Sequence, residues 1–379
     1  MALTLDDTIT RLAHLPPSSS PVISCFVNTR PDGRGRSTHP VFLKKAFAER
    51  LRTFPERSVA HRYLIADRDR IIEYFEAQIE TSTHSVAIYA NGADGLWEPL
   101  TFRTTFDENR LVVGPVPHLY PLVKLADQEP RYAVCVADVH QARIVVVGLG
   151  EVLKESDFEP PQPIDRTRVA GWAEVRYQAR IDHHLQKYTH EIADRLATIV
   201  DRGEVDYVIL GGDDLMLGGL RKQLSRSVKE KVIDEEHIPI DESTSDILKR
   251  TIAVVRETEA ADSKNLADTV VDRFRAGGLA VAGIEATVHA LNREQVDRLL
   301  MAERFNDQVG WQCAECRVLG NAPTPEACPF CEAPLPEEID LREAMVRRAE
   351  RTGRRVEIVE SHAEFEALDG VGALLRYKT

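Results

Sequence analysis

Apolar positions along the chain fall into short β-branched runs separated by longer stretches with helical spacing, the pattern of an α/β protein. PVISCFV (21–27) is the first strand-like run, and PDGRGR (31–36) behind it is a turn-rich basic loop. Helical spacing covers 42–51 and 63–79, while SVAIYA (85–90) and LWEPLTF (96–102) are strand-like, which predicts an α/β domain over 1–125. Residues 132–136 and 142–147 flank a polar turn and predict a hairpin. A loop with EPPQP is expected over 154–170. Beyond it Tyr177, Ile181, Leu185, Tyr188, Ile192, Leu196 and Ile199 recur at steps of three and four, the buried stripe of a long helix. VDYVILGG (205–212) is a buried strand and LRKQLSRSVKEKV (220–232) a helix, completing a second domain over 130–240. Over 241–379 two helices, a short apolar strand, a four-cysteine module, the strand VEIVES and the apolar end GVGALLRY follow. There are no internal repeats and no low-complexity tract.

A chain of 379 residues, 43% hydrophobic and 29% charged, has room for two to three domains with real cores. Its net charge of -13 argues against a general nucleic-acid coat, so any polyanion must meet local basic patches. Arginine is concentrated twice. Arg166, Arg168, Arg176, Arg180 and Lys187 bracket the loop and the start of the long helix, and Arg342, Arg347, Arg348, Arg351, Arg354 and Arg355 follow the cysteine module. Either run is a solvated face or a set of phosphate contacts. MALTLDDTIT lacks a basic n-region, and no apolar run approaches the roughly 20 residues of a membrane span, so a cytoplasmic protein without membrane association is expected.

Cys25 and Cys135 lie in apolar strand-like runs and are expected as buried thiols. Cys313-x2-Cys316 and Cys328-x2-Cys331 are different. Two such knuckles can give four thiolates to one ion, and a structural zinc in a small ribbon over 311–335 is the expectation. A redox pair or an iron–sulfur cluster are the alternatives. A closed shell of four sulfurs leaves no position for chemistry. GxxxxGK[ST], GxSxG and HExxH are missing, and Gly211–Gly212 with Gly218–Gly219 match no nucleotide fingerprint. His183, His184 and His190 are expected as solvated histidines on a helix face.

RTRVAGWAEVRYQAR (166–180) resembles the segment of the archaeal and eukaryotic class I release factors, and of their relative Pelota, in which a GGQ tripeptide precedes a long Arg-studded helix. The hairpin before it and VILGG after it occur in that family's order. AGGLAVAGIEATVHALNREQVDRLL (276–300) is similar to the start of the family's third domain, GVGALLRY (370–377) to its closing strand, and a CxxC…CxxC insert occurs in archaeal members. The resemblance covers about 130–379, and the first 125 residues look like the divergent N-terminal region of bacterial relatives. It implies an RNase H-like central domain and a Pelota-like α/β/α C-terminal domain with an inserted zinc ribbon. It also implies a ribosome-binding factor near the tRNA site, with ribosomal RNA, tRNA and a translational GTPase as the partners of that class.

The tripeptide itself differs. Only Gly171 remains, after Ala170; the glutamine position is Trp172 without gaps, or Glu174 in a longer GGWSQ-like register. Glycines permit backbone conformations closed to other residues, and an ionised Glu accepts but cannot donate. The resemblance then implies rescue or hibernation of ribosomes without peptide release, as in members such as Pelota and Balon that lack GGQ. Arg166, Arg168, Arg176, Arg180 and Lys187 would meet phosphates and Trp172, beside Gly171, would stack on a base. A peptidyl-tRNA hydrolase using Glu174 or Gln178, and a zinc-ribbon adaptor for a protein partner, are the rivals.

Overall fold

A computed structural model of the chain describes residues 4–31, 36–160, 172–305, 308–334 and 336–378, and over 172–182 the backbone alone. It forms two compact units, one made of Met1–Gln128 with Ala260–Thr379, the other of Glu129–Glu259. The segments 1–125, 130–240 and 241–379 expected from the sequence are therefore grouped differently. The first shares one body with most of the last, and residues 241–259 belong to the central unit.

In the first unit α1 (Leu5–His14) starts with a capping box between Thr4 and Asp7 and places Asp6 and Asp7 at its positive end. β1 (Val22–Asn28), α2 (His39–Leu51), α3 (Val59–Ala77), β2 (Ser85–Asn91), β3 (Leu96–Phe102), β4 (Arg110–Gly114) and α4 (Tyr120–Gln128) follow. The strands form an antiparallel sheet in the order β3-β2-β1-β4. Because side chains alternate along β1, Ile23, Cys25 and Val27 meet Leu43, Phe47, Leu64 and Ile71 of α2 and α3 on one face. Phe26 on the other face stacks edge-on with Tyr89 and Phe106. Full burial of such a side chain contributes about 1.5–3 kcal/mol. Sequence reading found β1 to β3, α2 and α3 but missed α1, β4 and α4.

The central unit opens with β5 (Tyr132–Ala137), β6 (Ala142–Gly148) and β7 (Glu151–Phe158), then α5 (Trp172–Asp201), β8 (Tyr207–Gly212), α6 (Asp214–Gln223), α7 (Arg226–Lys229) and β9 (Val232–Glu236). The sheet order is β7-β6-β5-β8-β9, antiparallel through the hairpin and parallel from β5 to β9. One correction is β7, which occupies residues expected as loop from 154 onward. Another is 220–232, expected as a single helix. Ser225 accepts a hydrogen bond from Val228 N, starting α7 as a new helix, and Val232 already belongs to β9. Tyr188, Ile192, Leu196 and Ile199 of the expected stripe are buried against this sheet. Gly212 has φ 142°, and a Cβ there would lie 2.2 Å from Ala137 O, so this glycine serves the close approach of β5 and β8.

α8 (Thr244–Arg275) carries the boundary between the units in its sequence. Next come β10 (Ala280–Ala282), α9 (Ile284–Asn292), β11 (Val296–Ala302), β12 (Val309–Gln312), β13 (Leu319–Asn321), β14 (Glu337–Asp340), α10 (Leu341–Arg351), β15 (Arg355–Val359), α11 (Ala363–Glu366) and β16 (Val371–Leu375). Here the main sheet runs β10-β16-β11-β15, and β13-β12-β14 form a separate small sheet inserted between β11 and β15. Among the described residues no helix is long and apolar enough to cross a membrane.

Candidate functional site

The small sheet carries the four cysteines. β12 ends at Gln312, just before Cys313, and the chain turns through Arg317 at φ 60° so that Cys313 N donates to Val318 O at 3.0 Å. The second turn repeats this plan, with Glu332 at φ 61° and Cys328 N donating to Ala333 O at 2.8 Å. Each turn points two thiols inward. Cys313 Sγ lies 3.5 Å from Cys331 Sγ, Cys316 Sγ 3.6 Å from Cys328 Sγ, and all four sulfurs fall within 4.8 Å of one another. These are not disulfides. A tetrahedral shell with bonds of about 2.3 Å has sulfurs about 3.8 Å apart, so the four thiols fit one metal ion. The N–H groups of Cys316 and Glu315 hold the Cys313 thiol down to about 7, whereas burial and the neighbouring thiols push Cys316 up and Cys331 up to about 12, so without a cation the cluster does not carry four thiolates.

The surroundings make the cluster rigid. Trp311, buried at 6% exposure, packs with Cys313, Cys328, Val318 and Ala333. A Cβ on Gly320 would sit 2.2 Å from the Trp311 ring, so only glycine lets the indole lie flat across β13. Asn292 at the end of α9 donates to Leu319 O at 2.8 Å and accepts from Leu319 N at 3.0 Å, fastening the insert to the main body as a strand would. No sequence motif marks Asn292 or Gly320 for these tasks. The lone cysteines are as expected: Cys25 and Cys135 are buried, and burial pushes the Cys135 thiol up to about 12.

The other expected site stands differently. Arg166, Arg168 and Gly171 lie outside the described residues. Trp172, Glu174, Arg176, Gln178 and Arg180 are in the first turns of α5, so both residues weighed for the glutamine position have helical backbone. Lys187 is exposed further along, with His183 and with His190, which faces Asp194 at 3.4 Å.

The second arginine run is not a set of phosphate contacts throughout. Arg342 is buried, donating to Phe305 O at 3.3 Å with its guanidinium 3.8 Å from the Tyr120 ring. Arg347 donates to Ala13 O at 3.0 Å and to Pro117 O. Between them Glu343 accepts from Leu119 N at 2.8 Å and Tyr120 N at 2.9 Å, capping α4. His118 Nδ1 is 3.2 Å from the same carboxylate. Burial raises the Glu343 carboxyl and lowers the His118 imidazole, so the histidine is neutral. These side chains of α10 join the first segment of the chain to the last; Arg351 and Arg355 remain exposed.

Two family models match the chain in succession. The one described as Bacterial archaeo-eukaryotic release factor family 10 matches residues 117–256, and the one described as eRF1 domain 3 matches residues 260–379. The chain is a bacterial archaeo-eukaryotic release-factor-like protein. Peptide chain release factor subunit 1 of Pyrococcus abyssi is 26% identical to it over 259 residues, 60% of this chain and 61% of that factor. The chain thus spans about three fifths of the length of that relative. The factor of the same name from Thermococcus kodakarensis is 22% identical over 358 residues, 82% of this chain and 83% of that factor. Among solved structures, Dom34 of S. cerevisiae, a translation termination-like factor, is similar at a TM-score of 0.42, with 11% identity, covering 78% of this chain and 80% of that one. In this release-factor-like chain the four-cysteine insert falls within the stretch that matches eRF1 domain 3.

Proposed function

We propose that this chain is a ribosome-binding translation factor that occupies the tRNA site during rescue or hibernation and does not release peptide. The carrying observation is a release-factor-like chain whose 166–180 segment has only Ala170–Gly171, followed by Trp172 or, in the longer register, by Glu174, for the family's Gly-Gly-Gln. The helical backbone at Trp172 and Glu174 supports this reading, because a hydrogen-bonded helix cannot make the extended reach that two glycines permit. In this reading Arg166, Arg168, Arg176, Arg180 and Lys187 contact ribosomal RNA phosphates and Trp172, beside Gly171, stacks on a base. We further infer that the cysteine shell holds zinc. Sulfur ligands in a closed tetrahedron suit that ion, which stabilises the insert and takes no part in chemistry.

Two measurements test the proposal. Wild-type protein should co-sediment with ribosomes, with affinity falling steeply as salt rises. The Arg166→Ala/Arg168→Ala/Arg176→Ala variant should bind about tenfold or more weakly, since each phosphate contact releases counterions. In single-turnover assays on ribosomes carrying peptidyl-tRNA, peptide release should stay at background. Release that Glu174→Ala or Gln178→Ala abolishes would establish a hydrolase instead; losing one well-placed polar group from such a site commonly costs about 100- to 1000-fold.

A further inference from the structure

The central unit has a second basic feature that no motif marks. β6, the edge strand β7 and the C-terminal half of α5 enclose a groove of about 170 Å³. Alternation along β7 decides its character. Lys154, Ser156 and Phe158 line the groove, while Glu155 and Asp157 point to the opposite face, where Arg143 of β6 meets them at 3.6 and 3.2 Å. The helix contributes Arg195 and Thr198, and the turn after its last residue contributes Arg202. The described lining therefore holds three cations and two hydroxyls over an apolar floor, and no carboxylate.

The cations are arranged for capture. Lys154 has no ion-pair partner among the described residues. The Arg195 guanidinium is propped 4.3 Å from the Phe158 ring centroid and pairs with Glu191 at 2.9 Å. Arg202, its side chain 66% exposed, faces Glu204 at 3.6 Å. Exposed pairs of this kind are worth about 0.3–0.5 kcal/mol and yield readily to a stronger anion. Guanidinium and ammonium donors beside hydroxyls are the usual partners of a phosphate.

We propose that this groove binds a phosphodiester of an RNA backbone, a contact separate from the 166–180 segment. That the polyanion is RNA rests on the ribosome-binding reading; the phosphate chemistry rests on the groove alone. The test uses full-length protein and a labelled single-stranded RNA dodecamer, with anisotropy followed from about 50 to 300 mM KCl. Lys154→Ala/Arg202→Ala should raise Kd about tenfold at 100 mM and lower the salt slope by about 1.4, two contacts at roughly 0.7 each. Lys222→Ala/Lys229→Ala removes the same charge elsewhere on this unit and should change Kd less than about twofold. Circular dichroism melts confirm that each variant folds. Equal effects of the two pairs, or none, would overturn the groove. Complete displacement of the RNA by inorganic phosphate at constant ionic strength would make it a free-phosphate site and overturn the backbone assignment. Ribosome pelleting separates the two readings. Groove-dependent RNA binding without ribosome binding refutes the ribosome reading alone, whereas ribosome binding with an inert groove refutes this one alone.

Discussion

Glu343→Ala cuts the connection through which α10 organises the start of α4. Two buried N–H groups, Leu119 and Tyr120, would lose their acceptors at a side chain only 11% exposed. Hydrogen bonds to a charged acceptor are worth about 1.5–3 kcal/mol each, a gross loss of about 3–6. Against this stands the burial of the carboxylate, which outweighs the help of Arg347 and of the two N–H groups, lifting the carboxyl from 4.5 to about 7 so that it is only partly ionised at neutral pH. The net expectation is about 2 kcal/mol of destabilisation for alanine and about 1 for glutamine, which keeps one acceptor. The raised value also fixes the direction of a pH effect. A carboxyl whose folded pKa exceeds its unfolded one contributes stability that is full below about 4.5 and is lost as pH rises through about 7. Between pH 6.5 and 8.5 wild type should lose about 1 kcal/mol that Glu343→Gln retains. Unfolded His118, half titrated at pH 6.5, acts in the opposite direction because its folded pKa is lowered, but it does so in both proteins, and the comparison with glutamine isolates Glu343. Urea unfolding followed by circular dichroism, with hydrogen exchange on residues 119–128, reads both effects. Unchanged exchange in α4 of the alanine variant, or wild-type stability that climbs across this window relative to glutamine, would refute the reasoning.

Two further outcomes concern the cysteine insert. Purified protein should carry about one zinc per chain, and Cys316→Ser should lower that sharply while leaving the central unit folded, because a structural metal contributes local folding energy; iron, or no metal in a reduced preparation, would contradict it. Gly320→Ala would force a methyl to 2.2 Å from the Trp311 ring. Such overpacking costs about 1–3 kcal/mol, and it should show as faster metal loss to a chelator at unchanged stability of the central unit.

The chain by itself determined those elements whose signal is local. β2 and β3 were legible because β-branched and aromatic runs are bounded by turn residues, and α5 because one apolar stripe persists over many turns. The four cysteines declared themselves because a two-residue spacing is the reach of one knuckle, and the structure brings all four together. The release-factor-like order of the last two thirds was also legible, since it is a succession of short linear patterns. Tertiary structure decided the rest. β7 was invisible because an edge strand can be polar on both faces, and only pairing with β6 shows which residues turn toward α5. The arginines after the insert look alike in sequence. Whether a guanidinium meets solvent or the carbonyls of residues 13 and 117 depends on segments some 230 or more positions away folding against it, as Arg347 shows. Glu343 and Asn292 make the same point. Their side chains satisfy backbone groups that are remote in sequence, and no pattern within a window of neighbours records which distant N–H or C=O will be left without a partner.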